Sequence, residues 1–209
     1  MIVTITLWTI ATYLIASIPF SLVVGQFFLG KDIRDYGDGN PGATNVRRAG
    51  GSLGYYLLAL FADGFKGLFP VGIPYWLMGW ASWEVLPLAL AAVLGHAFSL
   101  YLNFDGGKAV AISGGIWIGL ILFEAAVVIP VALVFWYYVV NEDDWAIVLT
   151  MLSLLVYLLV TRASDPALLL IWLGNFAVIL FTHRHGQLRT RPTLRKRKPA
   201  DHTSAETQD

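Results

Sequence analysis

Much of the polar chemistry in this 209-residue chain is gathered in two short glycine-rich stretches. The first, GDGNPGATNVRRAGG (residues 37–51), places Gly39, Asn40, Gly42, Thr44 and Asn45 ahead of two cations, Arg47 and Arg48. The second, FDGGKA (residues 104–109), sets Gly106 and Gly107 directly before Lys108. Glycine lets a backbone turn through positive φ and come close to a ligand. Successive N–H groups in such a turn form a concave anion site. Amide and hydroxyl side chains add uncharged donors, while Arg and Lys add charge, so the combination suits a phosphate group. The plainer alternative for either stretch alone is an ordinary flexible connection, and GGK lacks the spacing of a P-loop.

Three further features could take part. Asp63 and Lys66 are three residues apart, which puts them on one face of a helix where they can pair. Ionisable groups at membrane depth face a cavity or a partner, so this pair is either functional or a structural clamp between helices. His96 follows Gly95 in an apolar run, where a single histidine is more often a packing residue than a ligand. His183, Arg184 and His185 close the last apolar run, where cations also favour a helix C-terminus. There is no cysteine. Neither a metal-ligand spacing nor a Gly-x-Ser-x-Gly elbow is present, so catalysis would rest on positioning and cationic stabilisation, with no metal or cofactor implied.

The elements that must hold these groups are membrane helices. The chain is 57% hydrophobic and only 13% charged, where a soluble domain carries about a quarter charged residues. Apolar stretches at 5–28, 53–80, 85–102, 110–122, 125–140, 145–160 and 167–182 predict an all-α, polytopic membrane protein of about seven spans. The fourth to sixth stretches are short for a hydrocarbon core needing about 20 helical residues. Gly64, Gly67, Pro70, Gly72 and Pro74 predict a broken or kinked second span.

Seven spans put the termini on opposite sides. With the C-terminus inside, the inner segments carry Lys31, Arg34, Arg47, Arg48, Lys108, Arg184, Arg189, Arg191, Arg195, Lys196, Arg197 and Lys198, against Arg162 alone outside. The positive-inside rule then predicts an outside N-terminus, a cytoplasmic C-terminus and both glycine-rich loops on the cytoplasmic face. The organisation expected is a membrane domain over 1–183 and a basic, then polar, disordered tail over 184–209.

Several stretches together resemble the bacterial integral-membrane glycerol-3-phosphate acyltransferases that use acyl-phosphate as donor. They are ASIPF (16–20), GDGNPGATNVRRAGG (37–51), DGFKGLFP (63–70), LGHAFSLYLNFDGGKAVA (94–111) and THRHG (182–186). The resemblance implies seven helices and an active site on the cytoplasmic face of the cell (inner) membrane. It implies transfer of a fatty acyl group from acyl-phosphate to the 1-hydroxyl of glycerol-3-phosphate, giving lysophosphatidic acid, with no cofactor or metal. Its partners would be those two substrates and membrane lipids, and no nucleic acid. By the same resemblance Gly39, Asn40, Gly42, Thr44, Asn45 and Arg48 fall on a first phosphate-binding motif, and Gly106, Gly107 and Lys108 on a second. His183 falls on the last motif, and Lys66 and His96 on positions typical of the family. Lys108, Arg48 and His183 are the expected catalytic set.

The chain departs from that pattern in a consistent way. Asp38 stands where the family has serine, Asp105 where it has lysine, Ala109 and Gly186 where it has glycine and asparagine, and Thr182 where it has arginine. Near the inner end of the fifth span, a serine-containing motif is replaced by VVNEDDWA (139–146). Asp38, Asp105 and the 142–144 acids would repel a phosphate by about 4 kcal/mol per contact at ~4 Å, unless they pair with Arg47, Arg184 or other cations. Two alternatives follow. One is a divergent paralogue that binds lipid or phosphate with altered substrate or no catalysis; the other is a small transporter built around Asp63 and Lys66.

Overall fold

The computed structural model describes residues 1–195, and their long elements are helices. They are α1 (Ile2–Ser17), α2 (Phe20–Val24), α3 (Ala43–Arg48), α4 (Leu53–Gly72), α5 (Ser82–Ala97), α6 (Val110–Val139), α7 (Asp143–Thr161) and α8 (Pro166–His183). Among the described residues, six helical runs are long and apolar enough to cross a membrane. Large apolar side chains lie bare on the outside, Phe123 at 85% and Phe27 at 80% exposure among them. Such a surface is stable only against lipid. This is a multi-pass membrane protein.

The sixth-run count and the seven expected spans are reconciled inside α6. Ile121 and Leu122 leave helical geometry, and Leu122 has φ +44°. The chain reverses there. Val110 and Leu133 line one cavity, as do Gly114 and Ile129. Lys108, before the helix, also lies 3.5 Å from Asp144, beyond it. A straight helix of this length would hold its ends about 45 Å apart. α6 is therefore two legs, 110–120 and 123–139, with almost no loop between them. An ion pair of Glu124 with Arg162 at 2.8 Å ties the far end of the hairpin to the end of α7.

The first leg is short because it starts level with the middle of α4. Gly67 and Gly64 of α4 sit against Ile112, Ala111 and Gly115, and Gly72 against Gly119. Any Cβ at Gly64's partner Gly115 would strike the Gly64 carbonyl. These glycines thus serve close helix approach, as small residues do in membrane bundles. α4 accordingly runs unbroken through Pro70, and the expected break comes only afterwards, in a π-turn at Ile73–Leu77. Pro74 has no N–H for the carbonyl of Pro70, and Trp8 Nε1 donates to that carbonyl at 2.9 Å.

A second proline break shapes the polar end. Pro19 separates α1 from α2 and holds Ile18 extended. The Ile18 carbonyl is thereby released from the helical ladder, and Lys66 Nζ donates to it at 2.7 Å.

The stretch expected to begin the tail makes contacts with the end of α6 and the start of α7. Asp144 Oδ2 accepts from the Gln187 N–H at 2.7 Å, and the Thr190 carbonyl accepts from Trp145 Nε1 at 2.8 Å. Glu142 holds Thr193, and Leu194 bridges Val140. The tail's polar end, residues 196–209, lies outside the described residues.

Candidate functional site

One polar cluster is assembled at the mouth of the bundle from four separate stretches. The 37–51 loop supplies Asp38, Asn45 and Arg48; the 104–109 turn supplies Lys108; the start of α7 supplies Asp144; the end of α8 supplies His183. Lys108 Nζ is central, 2.9 Å from Asp38 Oδ2 and 3.5 Å from Asp144 Oδ1. Arg48 Nη1 lies 3.5 Å from Asp38 Oδ1 and donates to Asn45 Oδ1 at 3.1 Å. Asn45 Nδ2 in turn donates to Asp38 Oδ1 at 3.0 Å and to the Asn40 carbonyl at 2.9 Å.

The loop owes this arrangement to its glycines. Asp38 is flanked by Gly37 at φ +64° and Gly39 at φ +74°, a region only glycine adopts freely. A side chain at Gly37 would also collide with Asn45 and Arg48. Several of the glycine N–H groups in the two stretches are already paired. Those of Gly39 and Gly42 donate to the Tyr36 and Asn40 carbonyls, and those of Gly106 and Gly107 to the Ala97 and His96 carbonyls. The cations that meet in the cluster are the side chains of Arg48 and Lys108.

Gly106 and Gly107 act by packing. A Cβ on Gly106 would meet the His96 carbonyl, and one on Gly107 the His96 ring. Their absence of side chains lets the turn sink onto α5 and carry Lys108 to the cluster. Ala109 then caps α6 at φ +64°, a conformation that costs an L-residue about 1–2 kcal/mol. Glycine would relieve it.

His183 is fully buried. Its Nδ1 lies 2.8 Å from the Ile179 carbonyl, and its Nε2 points towards Asp144 Oδ1 at 3.8 Å. Of the three acids at 142–144, only Asp144 enters the cluster; Glu142 holds Thr193 instead. Gly186 explains why there is room. A Cβ at 186 would collide with the Asp144 carboxylate, so the carboxylate at 144 and the missing side chain at 186 are a matched pair.

Burial raises the Asp38 carboxyl, but its hydrogen bond and charge contact with Lys108, with help from Asn45, outweigh that. The net effect is to hold it below the usual carboxylate value of 3.8.

Other expected residues sit elsewhere. Thr44 is exposed on α3. Asp105 is exposed on the loop surface, outside the cluster. Arg47 donates to the Gly51 carbonyl at 2.7 Å and Arg184 stacks on Phe181, so neither neutralises an acid of the site. Thr182 Oγ1 donates to the Lys108 carbonyl at 3.2 Å, a positioning contact that no spacing in the sequence announced.

Lys66 and His96 belong to a second group behind the Gly106–Gly107 turn. Lys66 pairs with Asp63 at 2.9 Å, and Ser21 donates a short hydrogen bond to the same carboxylate. A cavity of about 10 Å³, lined by Ser17, Pro41, Lys66, His96, Ser99 and Gly107, lies between the two groups. A larger apolar cavity of about 30 Å³ starts beside Val110 and is lined by Gly114, Trp117, Ile129, Met151 and Ile179.

The profile of a family described as glycerol-3-phosphate acyltransferase matches residues 6–191. A glycerol-3-phosphate acyltransferase of Streptococcus mutans is 46% identical over 110 residues, covering 53% of this chain and 51% of its own length. One of Bordetella petrii is 45% identical over 130 residues, covering 60% and 61%. The chain thus spans about half to three fifths of the length of these relatives. The crystal structure of PlsY (YgiH), an integral membrane glycerol 3-phosphate acyltransferase, in its glycerol 3-phosphate form superposes with a TM-score of 0.78. It is 31% identical, over 87% of this chain and 88% of that one. The same protein in its lysophosphatidic acid form gives 0.75. Sequence motifs, bundle and profile converge, and the chain belongs to the glycerol-3-phosphate acyltransferase family.

Proposed function

We propose that this protein transfers a fatty acyl group from an acyl-phosphate to the 1-hydroxyl of glycerol-3-phosphate, giving lysophosphatidic acid and phosphate for phospholipid synthesis. The observation that carries the proposal is the convergence of Arg48, Lys108 and His183 at one mouth of the bundle, beside an apolar cavity. Arg48 and Lys108 there suit the phosphates of both substrates, and the bare apolar outer faces of the helices leave an acyl chain free to approach from the lipid.

The chemistry needs no protein nucleophile, because an acyl-phosphate is already activated. The glycerol hydroxyl oxygen attacks the acyl carbonyl carbon, forming the ester bond. The bond from that carbon to the phosphate oxygen breaks, and a phosphate oxygen takes the hydroxyl proton. Lys108 and Arg48 bind the phosphates and stabilise the negative charge that develops at the carbonyl oxygen. Asn45 orients Arg48, and Thr182 holds the Lys108 backbone.

The site lies on the cytoplasmic face of the cell membrane. Support comes from the cations Lys31, Arg34, Arg47, Arg48, Lys108, Arg184 and Arg189 at the same end of the bundle, with Arg162 at the other. A transporter draws no support from Asp63 and Lys66. Both are only 2% exposed, and with Ser21 and the Ile18 carbonyl they clamp α4 to α2 and to the α1–α2 break.

The test is direct. Purified protein given acyl-phosphate and labelled glycerol-3-phosphate is expected to form lysophosphatidic acid, and Lys108→Ala to lower its rate at least about 100-fold. Absence of product from the unaltered protein would overturn the proposal and favour a paralogue that binds phosphate without turnover.

A further inference from the structure

Both cations assigned to phosphate already carry a carboxylate. Asp38 bridges Lys108 at 2.9 Å and Arg48 at 3.5 Å, and Asp144 stands 3.5 Å from Lys108 on the other side. Two positive groups are thus matched by two negative ones. A phosphate dianion that joined the cluster with both acids in place would meet like charge at contact distance.

The two acids are held very differently. The Asp144 side chain is 8% exposed. Gln187 grips it twice, through its N–H at 2.7 Å to Oδ2 and by accepting the Asp144 N–H at 3.2 Å. It also fills the space beside Gly186. Asp38 is 40% exposed and sits between two glycines in left-handed conformation. Among the described residues and outside the ion pairs, its carboxylate accepts only from Asn45 Nδ2 at 3.0 Å and from the Asn40 N–H at 3.4 Å. Rotation about Gly37 and Gly39 would free it without disturbing a helix.

We propose that Asp38 is a displaceable internal counter-ion, which competes with a substrate phosphate for Lys108 and Arg48 and must swing aside for that phosphate to bind. The inference rests on the assignment of Arg48 and Lys108 as phosphate ligands. Asp38 keeps both side chains in a binding arrangement and lowers the affinity of the site for any phosphate. Its return to Lys108 would help expel inorganic phosphate after transfer. Asp144, by contrast, stays in place.

Titration calorimetry of the full chain in detergent, with inorganic phosphate and then glycerol-3-phosphate, tests this. Asp38→Asn removes the charge at nearly constant shape, and Asp38→Ser removes the reach as well. Both are expected to bind each ligand at least about tenfold tighter than the unaltered protein, and adding Lys108→Ala is expected to cancel the gain. Asp38→Glu, which keeps the charge, is expected to leave binding weak. A merely structural role predicts weaker or unchanged binding in Asp38→Asn. That result, in a variant that stays folded at the assay temperature, overturns the proposal; if Asp38→Asn unfolds there, Asp38→Ser decides. Affinity gain without lysophosphatidic acid formation would keep the counter-ion and discard the acyltransferase. Acyl transfer without affinity gain would do the reverse.

Discussion

Two clusters in this protein use nearly the same parts. Asp63, Lys66, Ser21 and His96 lie inside the bundle; Asp38, Asp144, Lys108, Arg48 and His183 lie at its mouth. Each centres on a lysine held 2.9 Å from an aspartate. They differ in burial. In the inner pair both side chains are 2% exposed, whereas Lys108 and Asp38 are 30% and 40% exposed. A buried pair cannot be opened without stranding a charge, so it holds structure. A half-exposed pair separates at little cost, because water can solvate either member, so it can exchange its partner for a ligand. Residue type alone does not separate a clamp from a site; solvent access does.

The comparison can be broken most decisively from the inner side. Lys66→Ala leaves the buried Asp63 side chain without its partner among helices, and is expected to destabilise the protein by about 3–5 kcal/mol. Thermal unfolding in detergent would register this as an early melt or loss of folded material. An unchanged melt would mean that the pair is not the clamp described here. Lys108→Ala should show the opposite profile. Lysophosphatidic acid formation is expected to fall about 100- to 1000-fold, while stability changes by less than about 1 kcal/mol.

The matched pair at the mouth can be tested by adding a methyl group. Gly186→Ala forces a Cβ into the Asp144 carboxylate and is expected to cost about 1–3 kcal/mol. Most of that cost should vanish in an Asp144→Ser background, giving a coupling of about 0.5–3 kcal/mol in a double-mutant cycle on melting. Additive effects would show that residues 144 and 186 are not coupled.

The smallest effect concerns pH. Asp38 is ionised in the fold below the usual 3.8, so its pairing stabilises the fold above that value and is lost as pH falls through the lower folded one. Asp38→Asn should therefore melt slightly below the unaltered protein, by less than about 1 kcal/mol, from pH ~7 to ~5. The gap should close below 3.8. A gap that instead widened on acidification would reverse the sign argued here.

Much of the fold was legible along the chain. The apolar stretches at 110–122 and 125–140 marked two legs, because the acid at Glu124 interrupts the hydropathy close to where Ile121 and Leu122 leave helical geometry. The glycines of α4 were misleading. Glycine and proline in a helix favour a break in isolation, but Gly64 and Gly67 face another helix at backbone contact, and packing overrides propensity. In the glycine-rich turns, packing and internal hydrogen bonds account for several of the glycines. The N–H groups of Gly39, Gly42, Gly106 and Gly107 are taken by the Tyr36, Asn40, Ala97 and His96 carbonyls, and the cations that meet beside them are Arg48 and Lys108.

The acids at 38, 105 and 142–144 looked equivalent as departures from a phosphate-binding pattern. Only two of them reach the site. Membrane insertion depends on the hydropathy of a local window and on which loops hold cations, so the amino-acid sequence by itself determined the spans and the end of the bundle at which charge collects. Ion pairing depends on distances of a few ångströms between residues far apart in the chain. Only the tertiary structure decided that Asp38 lies on Lys108 and Arg48, that Asp144 fills the space left by Gly186, and that Lys66 is sealed away with Asp63.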